Sequence, residues 1–442
     1  MQAAGEKALV LGGSMAGLLA ARVLSDHYEQ VTIVERDELP EGSEHRPGVP
    51  QARHTHGMLA CGARILERLL PGITAELVPA EAPPDADALR DGRWFNNGVF
   101  AARTSSGLEG FAVTRPLLES VVRRRVRELA NVAVIDGHAA SGLVADGPRV
   151  TGARIRPRRG GAETQLGADF VVDATGRASR APAWLAELGY APPDEETIEV
   201  GLGYATRFYR RSPEDLDGDF IVNVAAVPPN RRMGIAMAVE DDRWIVTLAG
   251  LLGDHPPLDD DGFLAFAAGL PTRVIHDLIA RIEPLTDAVR TRFTAHRRVR
   301  YERLRRLPGG FVAVGDAVAS FNPVYGQGMS VAAQEAELLG ELLATGATDG
   351  LPRRFYRAAA RTVDVPWDIA VGNDLRFPEV DGPRGTRVRL INRYVGRLQR
   401  VAGHDATVAR AFFAVGNLVA PPTSLLRPRI ALRVLARPVR AV

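Results

Sequence analysis

The sequence predicts a mixed α/β (α+β) fold: a Rossmann-like parallel-sheet domain, an antiparallel β-sheet inserted into it, and a helical C-terminal region. Three observations carry this. Residues 7–36 run strand, glycine-rich turn, helix, strand. From about Ile198 to Gly250 the chain changes to short apolar or alternating runs divided by turn residues. From Gly350 onward it is mostly helical, broken by Pro378 and Gly382-Pro383. With 442 residues and 46% apolar content there is enough material for a large core and two domains.

In the first element an apolar strand, Ala8–Leu11, enters Gly12, Gly13, Ser14, Met15, Ala16 and Gly17, and an Ala/Leu-rich helix follows. A second strand, Val31–Val34, ends on Glu35 and Arg36. Gly12 suits the tight turn and Gly17 a close helix–strand approach. The helix start faces a pyrophosphate, and Glu35 stands where an acid accepts from a ribose hydroxyl. Ser14 occupies the usual place of a second glycine; its Cβ narrows the approach, and its hydroxyl can donate. The run is not a nucleophile elbow, because Ala16 stands where that motif needs glycine.

After a loop, Asp37–Gln51, residues 52–72 read as a helix. Residues 76–112 are irregular, with a proline-rich piece at Ala82-Pro83-Pro84 and aromatics at Trp94, Phe95 and Phe100. Arg115–Ala130 has helical periodicity. Val132–Ile135, Gly142–Val144 and Val150–Ile155 read as strands of a small meander, and Asp169–Val172 as a strand ended by Asp173-Ala174-Thr175-Gly176. In the inserted region, Met233–Val239 and Trp244–Gly250 form a hairpin turning at Asp241-Asp242. Helices follow near 261–269 and 273–283, and a strand over Val289–Val299 leads back. The strand beginning at Phe311 stops at Gly315-Asp316. A loop with Pro323, Gly326 and Gly328 follows, and a helix starts near Met329. A carboxylate at a strand end can hold sugar-like hydroxyls, and free N–H groups at a helix start suit an electron-rich ligand.

The composition excludes several classes. A net charge of +2 with 24% charged residues gives no nucleic-acid footprint. One cysteine, Cys61, builds no disulfide framework and reads as a small buried hydrophobe. The first strand begins within a few residues, which leaves no room for a signal peptide, so a cytoplasmic location is expected. No run of about 18 apolar residues suggests a spanning helix. His54 and His56 have no accompanying ligand cluster, so no metal is expected.

The motifs VLGGSMAGLLAARVL, VTIVERD, HRPGVPQARHTH, TRPLLESVVR, VVDATGRASR, YATRFY and VGDAVASFNPVYGQGMS occur in that order. With them the chain resembles the FAD-dependent monooxygenases of the p-hydroxybenzoate-hydroxylase fold. It is most similar to bacterial epoxidases of polyether precursors and more distantly to squalene monooxygenase. The resemblance implies that residues 12–17 cradle the FAD pyrophosphate, with Glu35 and Arg36 at the ribose and Arg115 and Arg123 near phosphate or adenosine. Ala139 would offer backbone to the adenine. Asp316 would bind a ribityl hydroxyl, with Pro323 by the isoalloxazine and Gly326, Gly328 and Met329 at its pyrimidine edge. Arg46 and Arg53 match a segment that lines the flavin, and Asp173 and Arg177 a motif that braces it. Relatives more often carry a further glycine where Ala174 stands. Arg53, Pro323 and Tyr325 are thus the flavin-proximal candidates for catalysis.

The expected division is an FAD-binding domain from 1–75, 101–185 and 295–350, a substrate domain from 76–100 and 186–294, and a C-terminal helical region from 351–442. Trp94, Phe95, Phe321 and Tyr325 are candidates for the substrate pocket; the alternative for each is a place in the core. The resemblance implies transfer of one oxygen atom from O₂, by way of a flavin C4a-hydroperoxide, to an alkene or an electron-rich ring. The apolar stretches YATRFY, MGIAMAV and WIVTLAG suit an apolar polyketide- or terpenoid-like substrate. NAD(P)H is the expected electron donor, directly or through a separate flavin reductase, since there is no second dinucleotide fingerprint. Two alternatives stand beside this: an FAD-dependent reductase or dehydrogenase acting on isoprenoid or polyene double bonds, and a non-catalytic FAD-binding partner. A halogenase would need a catalytic lysine, and Lys7 is the only lysine. The tail LLRPRIALRVLARPVRAV, interrupted by Pro428 and Pro438, reads either as a helix packed on the body or as a basic, greasy helix for a membrane surface.

Overall fold

A computed structural model describes residues 4–77 and 86–436. The Ala82-Pro83-Pro84 piece and Pro438 lie outside the described residues. Five parallel strands form the first sheet, in the order Phe311–Ala313, Phe170–Asp173, Gly5–Leu11, Tyr28–Val34, Val132–Ile135. Their near-continuous apolar runs are what a parallel sheet covered on both faces requires. Helices Met15–Leu24, Arg115–Arg127 and Gly328–Ala344 pack together over it. A three-stranded antiparallel sheet, His138–Asp146, Arg149–Pro157 and Thr164–Gly167, packs against strand Phe170–Asp173.

The second large sheet has eight strands in the order Ala319–Ser320, Val289–Arg300, Asp194–Arg210, Arg243–Gly250, Arg232–Val239, Ile221–Val224, Gly92–Asn96, Val99–Phe100. It is antiparallel except where Ile221–Val224 runs parallel to Gly92–Asn96. The expected hairpin turns at Asp241 and Asp242, both at positive φ (61° and 47°), as a tight primed turn needs. The expected helices appear as Asp260–Ala268 and Val274–Ile279. Near the C-terminus, helices Leu351–Asp374, Thr386–Ala402, Ala406–Gly416 and Pro428–Ala436 follow one another.

Three sequence expectations need correction. Residues 76–112, expected to be irregular, carry the strands Gly92–Asn96 and Val99–Phe100, which pairing with Ile221–Val224 adds to the eight-stranded sheet. The helix expected over 52–72 spans only Ala60–Leu69, after a 3-10 turn at Pro50–Arg53. Hydrogen bonds from His54 and Thr55 to the eight-stranded sheet hold the residues between in a non-helical course. Val132–Ile135 is not part of the small meander but the outer strand of the parallel sheet, paired with Val31–Val34. Its short apolar run fits either setting, and only the pairing partner decides.

Candidate cofactor site

The parallel strand Gly5–Leu11 delivers the chain into Gly12, whose φ of 107° belongs to glycine. A Cβ on Gly12 would fall 2.4 Å from the Ala174 carbonyl oxygen, and one on Gly17 would fall 1.8 Å from the Gly12 carbonyl oxygen. These approaches leave the first N–H groups of helix Met15–Leu24 at the turn. Ser14, its N-cap residue, does not fold its hydroxyl back onto them. A negatively charged ligand group is the partner such a helix start accepts.

Buried charges surround this turn. Glu35 accepts from the Gly13 N–H at 2.7 Å and the Asp37 N–H at 3.0 Å. Glu119, on helix Arg115–Arg127, accepts from the Ser14 hydroxyl at 2.8 Å and pairs with Arg46 at 2.7 Å and Arg115 at 3.1 Å. Arg46 also reaches Glu35 at 3.2 Å and Asp37 at 3.3 Å. Arg46 therefore stands at the dinucleotide turn, among the acids that hold Gly13 and Ser14. Arg115 donates to the Ser14 hydroxyl at 2.9 Å, and Arg123 donates to the Pro40 and Gly42 carbonyls. Arg36 is exposed and bonds the Gly48 carbonyl. The strand carrying Ala139 begins where the His138 N–H meets the Glu35 carbonyl at 2.9 Å, so its backbone flanks the same strand end.

The second strand end lies across from the first. Asp173 is fully buried and accepts from Thr175 (N–H 2.9 Å, hydroxyl 2.6 Å) and Ser179 (2.5 Å), so it braces its own turn. Arg177 donates to Ser320 at 2.8 Å and lies 4.9 Å over the Phe293 ring, fastening that turn to the loop after Asp316. Asp316 is half-buried, and among the described residues its carboxylate accepts no hydrogen bond. Burial raises its pKa, against the pull of Arg115 and Arg177. A Cβ at Gly328 would sit 3.8 Å from Asp316 Oδ1, which puts this carboxylate at the start of helix Gly328–Ala344. Two further polar atoms at that helix start, Gln327 Oε1 and Ser330 Oγ, are buried without a hydrogen-bond partner. A glycine cradle, a helix start flanked by arginines and an unpartnered strand-end acid together fit FAD.

Pro323–Tyr325 form a 3-10 turn that ends at Gly326 with φ 64°. The turn is held from outside the parallel sheet. Asp374, at the end of helix Leu351–Asp374, is buried. It accepts from His296 Nε2 at 2.7 Å, Asn322 Nδ2 at 3.0 Å and the Tyr325 hydroxyl at 2.6 Å. His296 Nδ1 accepts from the Asn322 N–H at 3.2 Å, so the proton of the neutral ring is on Nε2. The long separations of these partners, up to 78 residues, hid the cluster from sequence reasoning. Glu335 was missed in the same way. It accepts from the Gly315 N–H at 2.6 Å from within the apolar face of helix Gly328–Ala344, where a lone acid was the available signal.

The HRPGVPQARHTH segment crosses the eight-stranded sheet. His54 bonds the hydroxyls of Thr206 (2.8 Å) and Thr291 (2.6 Å), and Thr55 bonds Thr247 at 2.8 Å. The sheet thus carries a threonine seam, with Thr206 and Thr247 inside the stretches YATRFY and WIVTLAG that were expected to offer apolar walls. Burial, with nearby His56 and Arg53, pushes the His54 pKa down to about 3; burial, with Arg115, takes that of His56 to about 4. Arg53 itself is exposed. Of the pocket candidates, Phe321 packs edge-on against Trp367, and Trp94 against Phe413 with its indole N–H on the Ala88 carbonyl. Phe95 packs against Phe100. Trp94 and Phe95 are on the strand six places along the sheet from the Ala319–Ser320 edge, so the four aromatics do not form one contiguous group. Met329 is buried, and Lys7 is exposed at the end of strand Gly5–Leu11 opposite Gly12.

These pKa shifts give stability an optimum between two limbs. Burial raises Glu335 from 4.5 to about 8, so the folded chain holds a proton that the unfolded chain releases. Its contribution is present below about pH 4.5 and is lost, at about 1.4 kcal/mol per pH unit, as pH rises to about 8. The histidines work oppositely. Their contribution is present above pH 6.5 and is lost as pH falls towards about 4 and about 3. Glu335→Gln, which keeps an acceptor for Gly315, is expected to flatten the alkaline limb. His54→Gln is expected to flatten the acid limb. Denaturant midpoints measured across both ranges check the two slopes.

A family model described as an FAD binding domain matches residues 81–203. Protein Rv3254 of Mycobacterium tuberculosis is 36% identical over 393 residues, covering 84% of this chain and 81% of the relative. Kynurenine 3-monooxygenase of Salinispora tropica is 26% identical over 402 residues, covering 84% and 80%. Among solved structures, p-nitrophenol 4-monooxygenase PnpA from Pseudomonas putida superposes with a TM-score of 0.64 at 17% identity, covering 94% of this chain and 99% of that one.

Proposed function

Because the chain belongs to the FAD-dependent monooxygenases of the p-hydroxybenzoate-hydroxylase fold, we propose that it inserts one oxygen atom into an apolar natural-product-like substrate, by epoxidation of an alkene or hydroxylation of a ring. Bound FAD supplies the activation of O₂ and the transfer of oxygen. The residues of the chain bind, orient and shield it. The 12–17 turn with Arg115 would hold the pyrophosphate end and Asp316 a hydroxyl of the ribityl chain, while Asp374 fixes the Asn322–Tyr325 turn. NAD(P)H, or a flavin reductase, supplies the electrons.

The observation that carries the substrate class is the group of apolar and uncharged side chains beside the 323–326 turn. Leu59, Phe293 and Val324 stand there half-buried. His54 and His56 stay uncharged near neutral pH, and burial beside Asp374 holds the Tyr325 phenol protonated. Apolar and uncharged side chains here favour an apolar molecule and keep water from a reactive oxygen donor, with charge confined to Arg177 over Phe293 and to Asp374 and Arg376 at Tyr325. The test is oxygen uptake by the FAD-loaded protein with NADH, NADPH or an added reductase, over a panel of polyenes and phenols. Substrate-dependent uptake with a product one oxygen heavier supports the reading. Double-bond reduction without oxygen uptake would assign the chain to reductase chemistry instead.

A further inference from the structure

Charge and apolar exposure coincide at one end of the molecule. Residues 384–442 contain twelve arginines and a single acid, Asp405, whereas the whole chain nets only +2, so the remainder is net acidic. Asp405 is already engaged by Arg433 at 2.8 Å. Among the described residues, the same stretch holds most of the large apolar side chains that stand in solvent: Leu390 at 61% exposure, Ile391 at 48%, Leu426 at 63%, Leu432 at 66% and Leu435 at 62%.

The helices hold these side chains outward. On Pro428–Ala436, Ile430 and Val434 are buried in a cluster with Leu398, Val401 and Phe413. Arg397 of helix Thr386–Ala402 ties the far end down by donating to the Val434 and Leu435 carbonyls, and the Tyr394 hydroxyl bonds the Leu425 carbonyl. With Ile430 and Val434 turned inward, Leu432 and Leu435 cannot join the core. On these two helices and the turn before the second, Arg387, Arg389, Arg393, Arg427 and Arg429 are exposed.

We propose that this arginine–leucine face seats the protein on an anionic lipid bilayer. Leucines at the level of the acyl boundary remove apolar area from water, and arginine stems reach back to headgroup phosphates. A second copy of the chain is a poor occupant, since two faces of this charge repel and neither brings carboxylates to the other. Docking here rests on the surface alone and does not depend on the substrate proposed above.

Flotation of the full-length, FAD-loaded protein tests it, with vesicles of phosphatidylcholine alone and vesicles rich in phosphatidylglycerol. The protein is expected to float with the anionic vesicles at low salt, to release as salt rises, and to stay down with phosphatidylcholine. Leu432→Glu with Leu435→Glu is expected to abolish flotation. Arg427→Glu with Arg429→Glu is expected to lower the bound fraction at least about tenfold, since each charge near such a surface counts strongly. Arg353→Glu with Arg357→Glu, on an exposed face of helix Leu351–Asp374, is expected to leave it unchanged. Unchanged circular dichroism and FAD absorbance in each variant exclude misfolding. Wild-type protein that stays down with anionic vesicles overturns the proposal, as does equal loss in the Arg353/Arg357 pair. A dimer by light scattering that Leu432→Glu with Leu435→Glu dissolves, without vesicle binding, gives the face to a second copy. Salt-sensitive retention of the non-floating protein by an acidic protein column gives it to an acidic protein.

Discussion

Asp374→Ala is expected to destabilise the protein by about 3–5 kcal/mol, because it leaves several buried donors without their acceptor. The donors are His296 Nε2–H, Asn322 Nδ2–H and the Tyr325 hydroxyl, and His296 and Asn322 are fully buried. At 0% exposure, His296 and Asn322 are out of reach of bulk solvent. Asp374→Asn keeps one acceptor oxygen and is expected to fall between wild type and alanine. The loss has a second readout. Freed from Asp374, the turn Pro323–Tyr325 loses its anchor, so the absorbance spectrum of bound FAD is expected to shift in both variants. Denaturant unfolding and the visible spectrum, taken on the same preparations, separate the two effects. An alanine variant with wild-type stability would mean that the cluster is looser than its distances imply.

Gly17→Ala is expected to be as severe at the other end of the cofactor. Its Cβ would stand 1.8 Å from the Gly12 carbonyl oxygen and 3.3 Å from Val10 Cγ1. No rotamer relieves a clash between Cβ and backbone, so the helix must lift from the strand. Eight of the ten residues of that helix are buried, which makes lifting expensive. The expected cost is about 3 kcal/mol or more, at the upper end of what overpacking does in a tight interior. FAD affinity is expected to drop at least about tenfold, the equivalent of about 1.4 kcal/mol. Gly416→Ala, where a Cβ meets nothing within 4 Å, is the matched control. Titration of the apoprotein with FAD, followed by quenching of flavin fluorescence, gives both affinities. Equal affinity in the two variants would separate the 12–17 turn from the cofactor.

Both positions show what could be read in advance. The strand–turn–helix at residues 8–24 was legible because its signals are local: a glycine spacing, a helical period and an acid at the next strand end. The Gly315-Asp316 turn was legible for the same reason. The groups that hold these turns were not. Glu119 is 105 residues from Ser14 and looked like an ordinary helix glutamate; nothing in TRPLLESVVR marks it as the inward-facing one. Glu335 and Asp374 sit on helices whose apolar faces implied burial, yet their partners lie 20 to 78 residues away. Val132–Ile135 failed differently. Four apolar residues suit a meander or a parallel edge equally well, and only pairing with Val31–Val34 settles the sheet. His54-Thr55-His56 was predicted as helix because its neighbours have helical spacing; cross-sheet hydrogen bonds to three threonines outweigh that propensity.

Strand Phe311–Ala313 belongs to the parallel sheet, and Ala319–Ser320, after only the Gly315–Ala317 turn, is the edge of the eight-stranded one. The loop that carries Asp316 is therefore a splice between two ladders of backbone hydrogen bonds. A ligand gripping that splice tightens both ladders at once. Amide exchange should slow on FAD binding in Phe170–Asp173, which pairs with the first strand, and also in Val289–Arg300, which pairs with the second. Loading of the cofactor and ordering of the eight-stranded sheet then become one event, and without FAD both sheets are expected to be looser at this splice.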